Sequence, residues 1–280
     1  MRLSRSRLCR LFDFPRIDFY RAHKVREKVR DAAIERGIRH VLSKHRCYGY
    51  RPVAKALRKP RSGYRGPLVN AKCVLRIMRI KGLLCKPPRR SRWRRSKSGI
   101  APYPNLAAHM SPSRPNELWS ADFTELTVRS TRVFIAVVVD EFARRCIGFN
   151  VHSSHSVDLT LPALRMALAS RRPPLGFVHH SDQGSEYMAH DYTGLVEEHG
   201  GKVSASRRST PTDNAACERF IKTLKYEELL NHAFTDIEEV RAIMPEIVAR
   251  YNGSRLHSSL QYRSPAEFER MYHAALKSQP

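Results

Sequence analysis

The apolar positions of this chain change period twice. From Tyr20 to about His45, Val25, Val29, Ala32, Ala33, Ile38 and Val41 recur among charges at loosely helical spacing, which predicts an amphipathic helix interrupted near Gly37. A short helix follows from about Tyr50 to Leu57, with Pro52 tolerated in its first turn because the N–H it lacks has no intrahelical partner there. After the turn-rich KPRSGYRGP, the segment VNAKCVLRIMRIKGLL sets Val69, Cys73, Ile77 and Ile80 on one side and Lys72, Arg76 and Arg79 on another, closing at Gly82. Two helices joined by a turn, the second with a basic stripe, describe a helix-turn-helix. Residues 86–116 have no period and mix prolines and serines with a cationic cluster around Trp93, as a linker does.

Past Asn116 the period shortens. LWSADFTEL, RVFIAVVVDEF and RRCIGFNVH read as three strands, and the unbroken FIAVVVD is expected of a strand covered on both faces. A helix capped by Ser156 runs to Arg171, and the strand LGFVHHSD ends at Asp182. A helix from about His190 to His199, a short strand KVSAS and two helical stretches, Asn214–Leu230 and Asp236–Tyr251, complete the pattern. The order predicts an α/β core, a mixed sheet flanked by helices, behind an all-α basic module. The implied organisation is a basic helical region 1–85, a linker 86–116, a catalytic core 117–270 and a tail 271–280.

Charge separates the two parts. The chain carries 51 Lys and Arg against 26 Asp and Glu, a net of +25, and residues 1–100 hold 31 of the bases with only 5 of the acids. The remaining residues are close to neutral, so a basic module joined to a neutral domain points to a polyanion held by one part and processed by the other. Nucleic acid fits better than a membrane, because no run approaches the roughly 18 apolar residues that span a bilayer. Lys72, Arg76 and Arg79 are candidate DNA contacts, as are Arg92, Trp93 and Arg94 in the linker, where the indole is placed to stack on a base or to cover apolar surface. The six cysteines form no CxxC pair and no secretory signal opens the chain, which fits a reduced, cytoplasmic, nucleoid-associated protein. His40, His45 and Cys47 lack a second close ligand pair and read as packed or solvated side chains rather than a zinc site.

Asp122, Asp182 and Glu218 carry the chemistry. They lie in the first strand, at the end of the fourth and near the start of a helix that can cross the sheet, so the fold can bring them together. Clustered carboxylates repel without a cation, and hard oxygen ligands select Mg2+ or Mn2+. Two such ions about 4 Å apart suit phosphoryl transfer, where attacking and leaving oxygens both carry negative charge. Lys222 and Lys225 follow Glu218 on the same helical face or close to it, placed to hold DNA beside the metals, although Glu218–Lys222 also reads as an ordinary exposed pair. Asp140 ends an apolar strand and is the best decoy. His179 and His180 read as hydrogen-bonded groups ending a strand, Gly184 as permitting the turn after Asp182, Ser181 and Gln183 as supporting it, and Asp213 or Asn214 as capping the Glu218 helix. Tyr251, Asn252, Arg255 and His257 either brace the core or touch DNA.

In order, WSADFT, HHSDQGSEY, TPTDNAACERFIKTLKYEEL and YNGSRLHSSLQYRSPAEF resemble the blocks of DDE transposases of the insertion-sequence-three family, relatives of retroviral integrases. HRCYGYRPVAKALR followed by VNAKCVLRIMRIKGL looks like that family's helix-turn-helix, so the resemblance covers nearly the whole chain. It implies a ribonuclease-H-like integrase core in which Asp122, Asp182 and Glu218 bind two Mg2+ ions. It also implies metal-dependent cleavage and strand transfer of insertion-sequence ends, a homo-oligomer on DNA, and DNA contacts at Lys222 and Lys225. Arg219 departs from the small polar residue expected after the glutamate. Family members are usually fusions with an upstream segment, and the expectation is that this chain is the downstream reading-frame product. The alternatives are a catalytically silent DNA-binding fragment and a ribonuclease H acting on hybrids.

Overall fold

The computed structural model describes residues 5–13, 15, 31–66, 68–85, 103–207 and 211–278. The chain forms two compact units, Met1–Pro87 and Pro88–Pro280. Arg92, Trp93 and Arg94 lie outside the described residues, as do Val25 and Val29 of the first expected helix.

In the basic unit, α1 (Arg5–Leu11) precedes α2 (31–44), α3 (Tyr50–Leu57) and α4 (Ala71–Ile80). Ile34, Ile38, Val41, Val53, Leu57, Val74, Ile77 and Met78 are buried. The expected break at Gly37 is absent, since α2 runs through it. A Cβ there would stand 2.8 Å from Leu57 Cδ2 and 3.1 Å from the Tyr64 ring, so the glycine serves close packing rather than a helix end. The apolar stripe of α4 is also displaced from the expected one. Val74, Ile77 and Met78 face inward, while Ile80 is 68% exposed. Asn70 caps α4 by accepting from the Lys72 N–H at 2.9 Å. His40, His45 and Cys47 form no metal-holding group, and the His45 ring stacks on Tyr48 at 4.4 Å.

The second unit is built on β1 (Leu118–Val128), β2 (Thr131–Asp140), β3 (Arg145–His152), β4 (Val178–Ser181) and β5 (Lys202–Ala205). Their order is β3-β2-β1-β4-β5, antiparallel across β3-β2-β1 and parallel across β1-β4-β5. Helices α5 (Val157–Arg171), α6 (Ser185–Met188), α7 (His190–Glu198), α8 (Ala215–Thr223), α9 (Ile237–Ser254) and α10 (Pro265–Lys277) surround it. The run FIAVVVD is covered on both faces, as its sequence predicts. Ile135, Val137 and Val139 pack with Cys217, Phe220, Met244 and Ile247 of α8 and α9. Phe134, Ala136 and Val138 pack with Leu159, Ala163 and Leu164 of α5. Gly148 sets the approach of α5, because any methyl on it would overlap the Ala163 carbonyl.

Several polar contacts fix the outer layer. Arg171 of α5 pairs with Asp140 at 3.1 Å and, together with Arg145, with Glu269 of α10. Burial pushes Asp140 up to about 6, and Arg171 and Arg145 hold Glu269 below the usual carboxylate range in spite of its burial. Asp140 therefore belongs to a structural network. Asn252 of α9 braces the core: its amide accepts from the Cys146 N–H at 3.0 Å and donates to the Cys146 carbonyl at 2.8 Å on β3. Arg241 donates to the Val151 carbonyl at 3.1 Å on the same strand. Arg255 grips Glu227 at 2.6 and 3.1 Å, and Tyr251 packs edge-on against Phe220 and His257. The end of the expected linker is tied down, since Pro104 O accepts from the Ala205 N–H and Leu106 N–H donates to Ser204 Oγ. The C-terminal helix α10 continues past residue 270 to Lys277, with Tyr272 edge-on to Phe142 at 4.9 Å. No helix among the described residues is long and apolar enough to cross a membrane.

Gly148→Ala is expected to destabilise the core by about 1–3 kcal/mol, the usual range for overpacking, because the obstructing atom is backbone. Denaturant titration of the purified chain measures it, and an unchanged midpoint would contradict the packing described.

Candidate active site

Register brings the first two carboxylates together. Trp119 pairs with His179 and Ser120 with His180, the last pair of the parallel β1–β4 ladder, which ends two residues before Asp122 and Asp182. Asp122 lies opposite Val137 in the antiparallel ladder, so its side chain shares the sheet face covered by α8. Glu218, in the first turn of α8, reaches that face from above. The three are coupled electrostatically. Burial first, then the charge of Asp182, with smaller effects of Glu218 and Glu186, push the Asp122 carboxyl up to about 8, against the Phe123 N–H. Burial likewise raises Asp182.

Each acid has a local partner. Asp122 Oδ1 accepts from the Phe123 N–H at 2.8 Å and Asp182 Oδ1 from the Gly184 N–H at 3.0 Å. Glu218 Oε2 pairs with Lys222 Nζ at 3.1 Å, where the carboxylate is 16% and the ammonium 60% exposed. Among the described residues no three His, Cys, Asp or Glu side chains stand at shared ligating distance. The donor set nevertheless suits a hydrated divalent cation: all three acids offer hard oxygens, and the buried Asn214 Oδ1 and Tyr187 Oη have no hydrogen-bond partner.

Surrounding residues take roles that differ from several expectations. Asn214 precedes α8 but does not cap it; its amide donates 2.9 Å to the Ala121 carbonyl and stitches the helix start to the Asp122 strand. Asp213 is held by Arg207 at 3.0 Å and by Asn105 at 2.7 Å. Ser156 sits at the start of α5 without a capping bond, its hydroxyl turned to Asp158 at 3.1 Å. Gly184 has an ordinary φ of −60°, and what it supplies is room, since a Cβ would collide with Glu186 Oε1 and stand 3.0 Å from Asp182 Oδ1. Gln183 donates to the Ser206 carbonyl at 2.8 Å and Ser181 to the Asp182 carbonyl at 3.1 Å, both supporting that turn. Burial lowers His179 to about 3 and His180 to about 4, and both are satisfied, His179 by Tyr192 at 2.8 Å and His180 by Ser204 and Ser206.

Of the two lysines, Lys222 lies at the triad. A π turn over Leu224–Glu228 widens the helix after it, and Lys225 donates to the Glu125 carbonyl of β1 at 2.6 Å. Arg219 is exposed. In the basic unit, Lys72 and Arg79 are exposed on α4, while Arg76 is paired with Asp31 at 2.8 Å. Two residues at the site were not anticipated, Glu186 and Tyr187. Glu186 is 6% exposed and Tyr187 1%, and the Tyr187 hydroxyl lies in the fields of Asp122 and Asp182. The only sequence sign of Glu186 is its position four residues after Asp182.

Comparison with known proteins decides the family. The integrase core domain family matches residues 112–211 and 199–265, and an HTH-like domain matches residues 28–91. The chain is 31% identical to the insertion element IS600 uncharacterized 31 kDa protein of Shigella sonnei, over 95% of this chain and 98% of that one. It is 31% identical to the transposase for insertion sequence element IS904 of Lactococcus lactis, over 88% and 96%. It is 32% identical to the transposase InsF for insertion sequence IS3fB of Escherichia coli, over 71% and 70%. The chain belongs to the insertion-sequence-three family of transposases. Its function is DNA transposition, its catalytic unit has the ribonuclease-H-like integrase core, and its basic unit is the HTH-like region that meets DNA. In this transposase the mixed sheet flanked by helices and the helix-turn-helix agree with the expectations from sequence.

The raised Asp122 carboxyl sets a pH dependence. The folded chain keeps that proton up to about pH 8, whereas the ordinary value is 3.8, so the folded state binds more protons in between and stability falls as pH rises through this window. Without divalent cations, Asp122→Asn is expected to melt several degrees above the unsubstituted chain at pH 8 and to lose that advantage near pH 4. Thermal melts across pH measure it, and an advantage independent of pH would count against the coupling.

Proposed function

We propose that this transposase cuts and joins DNA at a two-ion centre held by Asp122, Asp182 and Glu218. The observation that supports the reading is the parallel β1–β4 ladder, whose last pair, Ser120 and His180, lies two residues before Asp122 and Asp182, together with the effect of the Asp182 and Glu218 charges on the Asp122 carboxyl. Divalent cations, Mg2+ with Mn2+ as a substitute, would neutralise the negative charge on the attacking and leaving oxygens of the phosphodiester. The chain's own residues do the rest. The Asp122 and Asp182 carboxylates, each oriented by a neighbouring backbone N–H, bind from the sheet, and Glu218 closes the centre from α8. Lys222 pairs with Glu218 at 3.1 Å, and its exposed ammonium would be available to a DNA phosphate if that carboxylate held a cation. Lys225 steadies the helix against β1 through the Glu125 carbonyl, a bond it would have to give up to reach DNA.

Lys72 and Arg79 supply phosphate contacts from α4, with Arg76 shared with Asp31, and Arg92, Trp93 and Arg94, outside the described residues, are further candidates for DNA contact. Two transposon ends have to be held at once, so the working form on DNA is a homo-oligomer.

Asp122→Asn, Asp182→Asn or Glu218→Gln is expected to abolish Mg2+-dependent cleavage and joining of cognate ends while leaving end binding intact. Gel assays on labelled end DNA read both, and normal joining by any folded variant refutes the assignment. Alanine at Lys72 and Arg79 is expected to reduce the slope of log affinity against log salt by about 0.9 for each phosphate that is no longer neutralised, with a smaller change for Arg76→Ala. Fluorescence anisotropy over a salt series tests this ordering.

A further inference from the structure

We propose that Glu186 is a fourth carboxylate of the metal centre, holding a divalent cation together with Asp122 and Asp182; the proposal rests on the triad reading above. Glu186 stands in α6, the single helical turn that follows Asp182. Its Oε1 and Asp182 Oδ1 both border the space where Gly184 lacks a Cβ, so the two carboxylates converge over one residue. Asp122 feels the charge of Glu186 as well as that of Asp182 and Glu218, which puts the fourth acid in the same neighbourhood.

The surroundings of Glu186 do not neutralise it. Its residue is 6% exposed, and no lysine or arginine among the described residues forms an ion pair with it. Its carboxylate accepts from its own backbone N–H and from the Ser185 hydroxyl at 3.3 Å. A smaller favourable effect comes from the exposed His155, whose ring is stacked on Phe123. A carboxylate removed from water and left without a counter-charge is destabilising unless an ion completes it.

An independent sign of a missing ligand lies next door. The Tyr187 hydroxyl is buried, has no hydrogen-bond partner and feels the charges of Asp122 and Asp182. Asn214 Oδ1, fixed above Ala121, is a second buried atom without a partner. A hydrated cation held by these acids would offer water able to donate to Asn214 Oδ1 and to accept from Tyr187 Oη. Core packing alone explains neither.

The test is Glu186→Gln in the full chain, read by calorimetric titration with Mn2+ and by melting with and without Mg2+. The variant is expected to melt at or above the temperature of the unsubstituted chain in chelator, to bind Mn2+ about tenfold or more weakly, and to gain less from added Mg2+. Glu186→Asp, which keeps the charge one methylene short, is expected to fall between the two. A variant that melts lower in chelator or fails to fold would assign Glu186 a structural role and overturn the proposal. Mn2+ affinity within twofold of the unsubstituted chain, with Asp122→Asn defective, would overturn it while sparing the triad. Unchanged Mn2+ binding by Asp122→Asn as well would instead refute the triad reading on which it stands.

Discussion

Like charges held together out of water dominate the catalytic unit. Two carboxylates about 4 Å apart repel by roughly 4 kcal/mol at an effective dielectric near 20. A hydrogen bond to a charged group returns about 1.5–3 kcal/mol. The amides of Phe123 and Gly184 and the ammonium of Lys222 moderate the repulsion among Asp122, Asp182 and Glu218 without removing it, and Asp122 relieves the rest by keeping its proton up to about pH 8. What maintains the arrangement is the sheet. Asp122 is held by the pairing of β1 with β2, and Asp182 follows directly from a buried strand.

The two faces of that sheet have different work. The α5 face is closed by direct contact, with Gly148 admitting the helix backbone and Phe134, Ala136 and Val138 filling the layer. The α8 and α9 face ends at the carboxylates, and its core residues Cys217 and Phe220 flank Glu218 in sequence. Packing and chemistry are thus coupled through one helix. A shift of α8 along the sheet moves Glu218 and breaks the Asn214–Ala121 stitch together.

Much of this was legible in the chain. The unbroken FIAVVVD announces a strand covered on both sides. What escaped did so for local physical reasons. Glu186 sits on a four-residue helix between Ser185 and Tyr187, too short for any periodicity to show that an acid faces inward. Lys225 is moved by a π turn, which breaks the 3.6-residue spacing that would place it beside Glu218. Gly37 and Gly184 look like backbone devices in the sequence, yet each serves a space requirement set by a distant or neighbouring side chain. The inward stripe of α4 begins at Val74 rather than Cys73, because the helix starts only after the Asn70 cap. Asn214 has a residue type suited to capping, and only the tertiary fold presents the Ala121 carbonyl that it binds instead.

The clamp between α9 and β3 bears on how copies of this protein meet. β3 is the outermost strand on its side, and an unpaired strand margin is a template for another chain. Asn252 fills the donor and acceptor of Cys146, and Arg241 fills the carbonyl of Val151, so a helix stands in for the missing neighbour. A second copy that tried to continue the sheet there would first have to peel α9 away, along with the Met244 and Ile247 side chains it buries. Assembly by strand addition is closed on that side, and association there is left to helical and loop surfaces that form without unfolding anything.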